Sequence, residues 1–291
     1  MMDSKRPNIL AIRRKACFSP NSVGKDRLIL RLVCGEIKKI GHLKSDIRMV
    51  DEDALTHPVE TADCCVSMAR SDKALSVLAA MRHNGCKIVN SPQGVMSCQR
   101  SKLNGLMLQN NIPMPNREGG HGYWLKRGDT AAQTERDVVY CPDKTALEKT
   151  KDEFRARGID DWVVSAHIIG DLVKFYGVGE RFFQYFYPSD DGISKFGVEQ
   201  VNGKAHHYDF NVERLRSCVV KLAKLTGVDV YGGDVIIEKN GDYSIIDFND
   251  WPSFSRCRVA AAKAIAMEVA SKMGWDIVPA DSRGQKTSPA M

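Results

Sequence analysis

No apolar run in this chain of 291 residues approaches the roughly 20 residues of a membrane-spanning helix. Its opening, MMDSKRPN, lacks the apolar stretch of a secretory signal, so none is expected. The nine cysteines are odd in number and scattered, with no C-x-x-C pair; Cys64-Cys65 is the only close pair. That pattern argues against structural zinc and against a disulfide framework. It implies free, mostly buried thiols in a reducing cytoplasm. The net charge of +6 is spread along the chain, and short clusters such as Arg13-Arg14-Lys15 are not interleaved with stacking aromatics. A nucleic-acid-binding module is therefore disfavoured. A small anionic ligand suits the charge, a homo-oligomer is compatible with it, and no membrane partner is expected.

What is present is a chain longer than one ordinary domain, with the composition of a globular protein. The first hundred residues alternate strand and helix. Strands are expected at residues 8–12, 46–50, 63–68 and 86–89, with helices at 25–39 and 72–84 between them. Short connections in such an alternation predict a parallel sheet covered on both faces. Ligands bind beyond the carboxyl ends of strands in an open sheet of this kind, and those ends carry Arg13-Arg14-Lys15 and Ser67 to Arg70. Further on, a helix at 212–226 carries apolar residues at Leu215, Val219, Leu222, Ala223 and Leu225, with Gly227 as its stop. An alanine-rich helix follows Arg258, and the tail SRGQKTSPAM reads as disordered.

The segment GGDVIIEKNGDYSIIDFNDWP (residues 232–252) reads as a hairpin, with Asn240-Gly241 suited to a two-residue type I′ turn. That register sets Lys239 opposite Asp242 and, counting outward, Asp234 opposite Asp247, with Asn249 on the face of Asp247. Three hard oxygen ligands would then converge as Mg²⁺ requires. Carboxylates among Ile236, Ile237, Ile245, Ile246 and Phe248 are costly to desolvate without a cation or donors. A surface hairpin with acidic ends satisfies the same spacing, and on this hairpin alone the two readings weigh evenly.

The hairpin resembles the metal motif of the ATP-grasp superfamily, in which an acid on one strand and E/D-x-N on the next hold the magnesium of Mg-ATP. The matching residues are Asp234, Asp247 and Asn249, followed by Pro252. Asp247 stands where the peptide-ligase branches carry Glu, as inositol-trisphosphate-kinase-like members do. The string KIVNSPQGVMSCQRSKLNGLMLQNNIPMPN is similar to the family's junction between small domain and catalytic core, and Lys102 takes the place of its nucleotide-binding lysine. Lys126, at the end of a strand from Tyr123, takes the place of the lysine that reaches the α/β phosphates. The following Arg127-Gly128-Asp129-Thr130 has one glycine where the family's covering loop has several. Two strands broken at Gly170-Asp171 resemble the adenine hinge and the next strand. On that likeness the backbone of Val164, Ser165, Ala166 and His167 borders adenine, and Asp171, Lys174, Tyr176 and Gly179 match the string that follows. Lys174 projects alone from its face, suited to a phosphate or an acidic substrate, while Arg256 and Arg258 border the acceptor.

The resemblance implies an α/β (α+β) ATP-grasp fold. A small parallel α/β substrate domain (1–92) precedes an ATP-grasp domain (93–275), with a lid subdomain at about 113–163, a catalytic subdomain at about 164–275 and a tail from 276. It implies ATP and one or two Mg²⁺ ions, with Mn²⁺ a substitute. Asp234, Asp247 and Asn249 are the expected metal ligands; Lys102, Lys126 and residues 164–167 are expected on the nucleotide, and Lys174 and Arg256 in catalysis. The implied reaction joins a carboxylate to an amine through an acyl-phosphate. A kinase of a polyanionic or polyol substrate, such as an inositol phosphate, is the alternative. A non-catalytic nucleotide-binding protein is a third reading.

Overall fold

Short apolar strands that alternate with amphipathic helices leave few arrangements, and the chain adopts the parallel one. The computed structural model describes residues 7–19, 22–57, 62–130, 132, 134–191 and 203–275. The tail expected to be disordered and much of the polar stretch at 189–210 lie outside them. Strands β1 (Ile9–Arg13), β2 (Arg48–Asp51), β3 (Cys64–Ser67) and β4 (Lys87–Val89) form a parallel sheet in the order β2-β1-β3-β4. Helix α1 (Val23–Ile40) packs on one face and α2 (Asp72–His83) on the other. Alternating side chains of β1 divide between the two cores, Ile9 and Ala11 to the first and Leu10 and Ile12 to the second.

Two further helices, α3 (Pro92–Ser97) and α4 (Arg100–Gln109), lead to an antiparallel sheet in the order β6-β5-β7. It is built from β5 (Tyr123–Arg127), β6 (Val138–Cys141) and β7 (Trp162–Ala166). Tyr123 and Leu125 of β5 pack against Leu147 and Phe154 of α5 (Lys144–Ala156). Trp124 and Lys126 therefore occupy the opposite face of the sheet.

The third sheet runs β11-β10-β8-β9, all antiparallel, from β8 (Asp171–Val178), β9 (Phe182–Phe186), β10 (Val230–Ile237) and β11 (Tyr243–Asp250). Helix α6 (Val212–Thr226) covers one face through Leu215, Val219, Leu222 and Ala223. Its bounds match the sequence expectation for local reasons. The Asn211 side chain accepts the Arg214 N–H at 2.9 Å, and Gly227 ends the helix at φ +79°. Helix α7 (Arg258–Met273) lies between this sheet and the N-terminal layer, in one core with Val33 and Ile37 of α1 and Val178 and Val230 of the sheet. Contacts on two sides demand small side chains, and Ala261, Ala262, Ala264, Ala266 and Ala270 supply them. The described cysteines are all free and most are buried. Among the described residues, no helix is long and apolar enough to cross a membrane.

Candidate active site

The hairpin of β10 and β11 reaches the expected acid pairing by a different route. Its turn is not a two-residue type I′ turn. The Glu238 N–H donates to Asp242 O and the Gly241 N–H to Glu238 O, both at 2.9 Å, with Gly241 at φ +83°. Three residues, Lys239 to Gly241, thus close the loop, with glycine where a left-handed residue is required. Ile237 pairs with Tyr243 and Val235 with Ile245, one residue out of the expected register. A bulge then skips Ile246, so Asp234 does stand opposite Asp247 and Gly232 opposite Asn249. The bulge also turns Ile245 and Phe248 onto the α6 core together, which leaves Asp247 and Asn249 for the other face. Gly233 is required there, because a Cβ would come within 2.1 Å of Asp247 O and 2.6 Å of Phe175.

Ile246, excluded from the ladder, offers its carbonyl across the gap to the second sheet. Lys126 Nζ donates to it at 2.8 Å. Lys174 of β8 lies in register with Asp234, and its Nζ sits 2.5 Å from Asp234 Oδ1. It does not project alone as the sequence suggested, because the adjacent strand places a carboxylate beside it. Arg100 Nη2 lies 3.8 Å from Asp247 Oδ1, and Arg100 Nη1 donates to Arg127 O. Asn249 Nδ2 donates to Asp247 Oδ2 at 2.7 Å, which leaves its Oδ1 as an acceptor.

Electrostatics follow from this packing. Burial pushes the Lys126 ammonium down to about 8; Arg100 adds to the fall, and Asp247 and Asp234 resist it. Burial alone would raise the Asp247 carboxyl, but Arg100, Lys126, the Asn249 amide and Lys174 hold it below its ordinary value. Burial would likewise lower Lys174, and Asp234 more than offsets it, so that lysine stays charged.

Two lobes of one cleft, of about 490 and 540 Å³, meet at Arg70, Arg100, Asp247, Asn249 and Asp250. The larger runs between α1, β8, the hairpin and the start of α7. Its wall carries seven basic side chains (Arg14, Lys25, Arg70, Arg100, Lys174, Arg256, Arg258) and four acids (Asp26, Asp234, Asp247, Asp250). Arg256 stands on this wall with its guanidinium 4.5 Å above the Phe186 ring.

Other expectations change. Lys102 is exposed and lines neither lobe, while Arg100 faces Asp247. Residues two apart on a helix point in different directions, so the phase of α4 turns Arg100 to the cleft and Lys102 away from it. Both lie in the string QRSK, and the helix phase separates them. Residues 164–167 line neither lobe. The Ala166 N–H donates to Asn116 O at 2.7 Å and the His167 N–H to Gly122 O at 2.9 Å, so two of the four proposed adenine donors are engaged within the chain. Ser165 is buried, and Val164 lines a separate groove with Arg117, Glu118 and Lys144. His167 Nδ1 accepts the Trp124 indole N–H at 3.1 Å, a structural bond. Gly128 is tightly packed. Its N–H donates to Asp161 O at 2.8 Å, and a Cβ would strike Ser101 Oγ at 2.1 Å. Arg13 and Lys15 pair with Asp51 and Asp53, and Arg14 turns inward, so this cluster is taken up by the protein itself.

The donor set fits magnesium on one condition. Among the described residues no group of three or more His, Cys, Asp or Glu could hold a metal. Two carboxylates and an amide oxygen are too few for a bare ion and are ringed by Lys126, Lys174 and Arg100. They suit Mg²⁺ that arrives with phosphate oxygens and keeps its waters, the phosphates meeting the three cations.

No protein-family model matches the chain, and no curated protein matches it. Solved structures do. A D-alanine–D-alanine ligase from Bacillus anthracis complexed with ATP is similar at 12% identity and TM-score 0.64, over 93% of this chain and 98% of that one. A RimK domain protein ATP-grasp from Sphaerobacter thermophilus is 15% identical, with TM-score 0.62, over 89% and 98% of the two chains. The ATP-grasp ligase PsnB, complexed with precursor peptide PsnA2 and AMPPNP, is 13% identical, with TM-score 0.57, over 92% and 98%. The chain has the ATP-grasp fold.

Proposed function

We propose that the protein is an ATP-grasp ligase that joins a carboxylate to an amine with release of ADP and orthophosphate. One observation carries the reading: the opposed Asp234 and Asp247, with Asn249 beside them, stand at a cleft with a basic wall. On this reading residues 1–92 contribute the substrate domain, and a lid (about 113–163) and catalytic subdomain (about 164–275) clasp ATP.

The substrate carboxylate oxygen attacks the γ-phosphorus, the bond to the β,γ-bridging oxygen breaks, and ADP leaves. The amine nitrogen then adds to the acyl carbon, phosphate departs with its C–O electron pair, and the amine proton is lost to solvent. Asp234, Asp247 and Asn249 would hold Mg²⁺, which when bound neutralises charge on the phosphoryl group in transfer. Lys126 and Arg100 would meet phosphate oxygens, Arg100 in the role expected of Lys102. Lys174 orients Asp234 through their ion pair, and moves to phosphate or acceptor when the metal takes that carboxylate. Arg256 and Arg258, on the cleft wall, receive an anionic acceptor and fix it for in-line attack. Of the basic cluster at Arg13 to Lys15, Arg13 and Lys15 pair with surface aspartates and only Arg14 stands on the cleft wall.

Phosphorus NMR of protein, Mg-ATP and a small-metabolite extract tests the reading. ADP and orthophosphate formed only with extract, and an acyl hydroxamate when hydroxylamine is added, are expected. A new phosphoester resonance without orthophosphate would establish a kinase instead.

A further inference from the structure

Directly beyond Asn249 the chain enters an ionic cluster that the reaction does not use. Asp250 is buried, and Arg70 grips it with both arms of its guanidinium. Nη2 lies 2.7 Å from Oδ1, Nε donates to Oδ2 at 3.2 Å, and Nη2 also donates to the Asp250 carbonyl at 3.0 Å. Arg14 donates from Nη2 to the Trp251 carbonyl at 3.0 Å and from Nε to Met68 O at 3.2 Å. Both arginines come from the N-terminal layer, just past the carboxyl ends of β3 and β1. The loop that carries Arg70 is itself fixed, because Glu52 accepts the Arg70 and Ser71 N–H groups at 2.9 and 2.8 Å.

The gripped backbone needs holding. Trp251 is fully buried at φ +42°, a conformation bulky residues avoid. The Asp250 carboxylate turns to Arg70 of the N-terminal layer while Asn249, its strand neighbour, turns its amide to Asp247. A buried ion pair is a poor device for stability alone, since desolvation offsets most of its attraction. A two-armed guanidinium grip supplies geometry, because it fixes the carboxylate in position and orientation.

We propose that Arg70, assisted by Arg14, is a positioning residue for the metal site: from the N-terminal sheet it sets the backbone that aims Asn249 and Asp247. The affinity for the metal then depends on a contact with no metal ligand in it. This inference rests on the reading of Asp234, Asp247 and Asn249 as the metal ligands.

The test uses Mn²⁺ as a spectroscopic stand-in, titrated into the full-length protein saturated with a non-hydrolysable ATP analogue, with free Mn²⁺ read by electron paramagnetic resonance. Arg70→Gln should weaken Mn²⁺ binding about tenfold, as loss of outer-shell partners does. Arg70→Lys, which keeps the charge without the fork, should fall between it and wild type. The loss of Mn²⁺ affinity should exceed any loss of analogue affinity measured without metal in both, an outcome that general loosening of the fold would not give. Should Arg70→Gln not fold, Arg70→Lys and Arg14→Lys carry the measurement. Asp247→Asn separates the two claims. If it abolishes Mn²⁺ binding while the arginine variants bind as wild type does, the positioning role is wrong and the metal site stands. If wild type and Asp247→Asn bind Mn²⁺ alike, the metal site is wrong and the inference goes with it.

Discussion

Asp247 and Asp250 lie three residues apart near the end of one strand, and their surroundings could hardly differ more. The Asp250 side chain is 5% exposed and is met by Arg70 at 2.7 Å. The Asp247 side chain is 29% exposed, its arginine stands off at 3.8 Å, and a neighbouring amide supplies its short bond. One carboxylate has its partners; the other is surrounded by charges that hold it ionised without closing around it. Saturation marks a structural acid, and an ionised acid on an open cleft marks one that awaits a ligand. Lys126 and Arg13 repeat the lesson. The buried lysine is kept near its titration point beside the cleft, while the arginine is matched to a surface aspartate.

Substitution should separate the two acids cleanly. Asp247→Asn should cut ATP turnover on the order of 10³-fold, since several kcal/mol of charge stabilisation is lost with the metal. Its unfolding free energy should stay within about 1 kcal/mol of wild type. ADP release and urea denaturation measure the two quantities, and wild-type turnover would sink the metal assignment. Asp250→Ala should do the reverse in kind, costing about 3–5 kcal/mol in urea denaturation because two buried arginines lose their partner. If it destabilises no more than Asp247→Asn, the contrast between the two acids is wrong.

Lys126→Ala should raise KM for ATP about 30-fold, the loss of one charge-assisted bond of roughly 2 kcal/mol. Calorimetry that finds unchanged nucleotide affinity would remove this lysine from the phosphate site. A gentler probe of the same residue is pH. With Lys126 titrating near 8, apparent ATP affinity should fall about tenfold from pH 7 to 9 as the charged fraction declines. Lys126→Arg should flatten that profile. Stability should move the other way. Between about 8 and the ordinary 10.5 the unfolded chain holds a proton that the folded chain has released, so this group's contribution rises with pH across that window.

Much of this was legible in the sequence where local chemistry decides. Helix α6 announced its end through Gly227, and the parallel N-terminal strands announced themselves through apolar runs between helices. The opposition of Asp234 and Asp247 was legible by a compensation: the turn holds one residue more than expected, and the bulge at Ile246 restores the count. Bulges follow from packing, here the need to seat both Ile245 and Phe248 against α6, and no spacing rule predicts them. The choice of Arg100 over Lys102 depended on the rotation of a helix about its axis, which tertiary contacts set. The grip of Arg14 and Arg70 on Asp250 and Trp251 joins residues 180 to 237 positions apart and left no local trace.

The central claim is that the cleft binds ATP through a metal held by Asp247, and calorimetric titration of ATP into wild type and Asp247→Asn, with magnesium and with chelator, tests it most directly. The account predicts that magnesium tightens ATP binding at least tenfold in wild type and has no such effect in the variant. Equal affinity for ATP in all four titrations would contradict it.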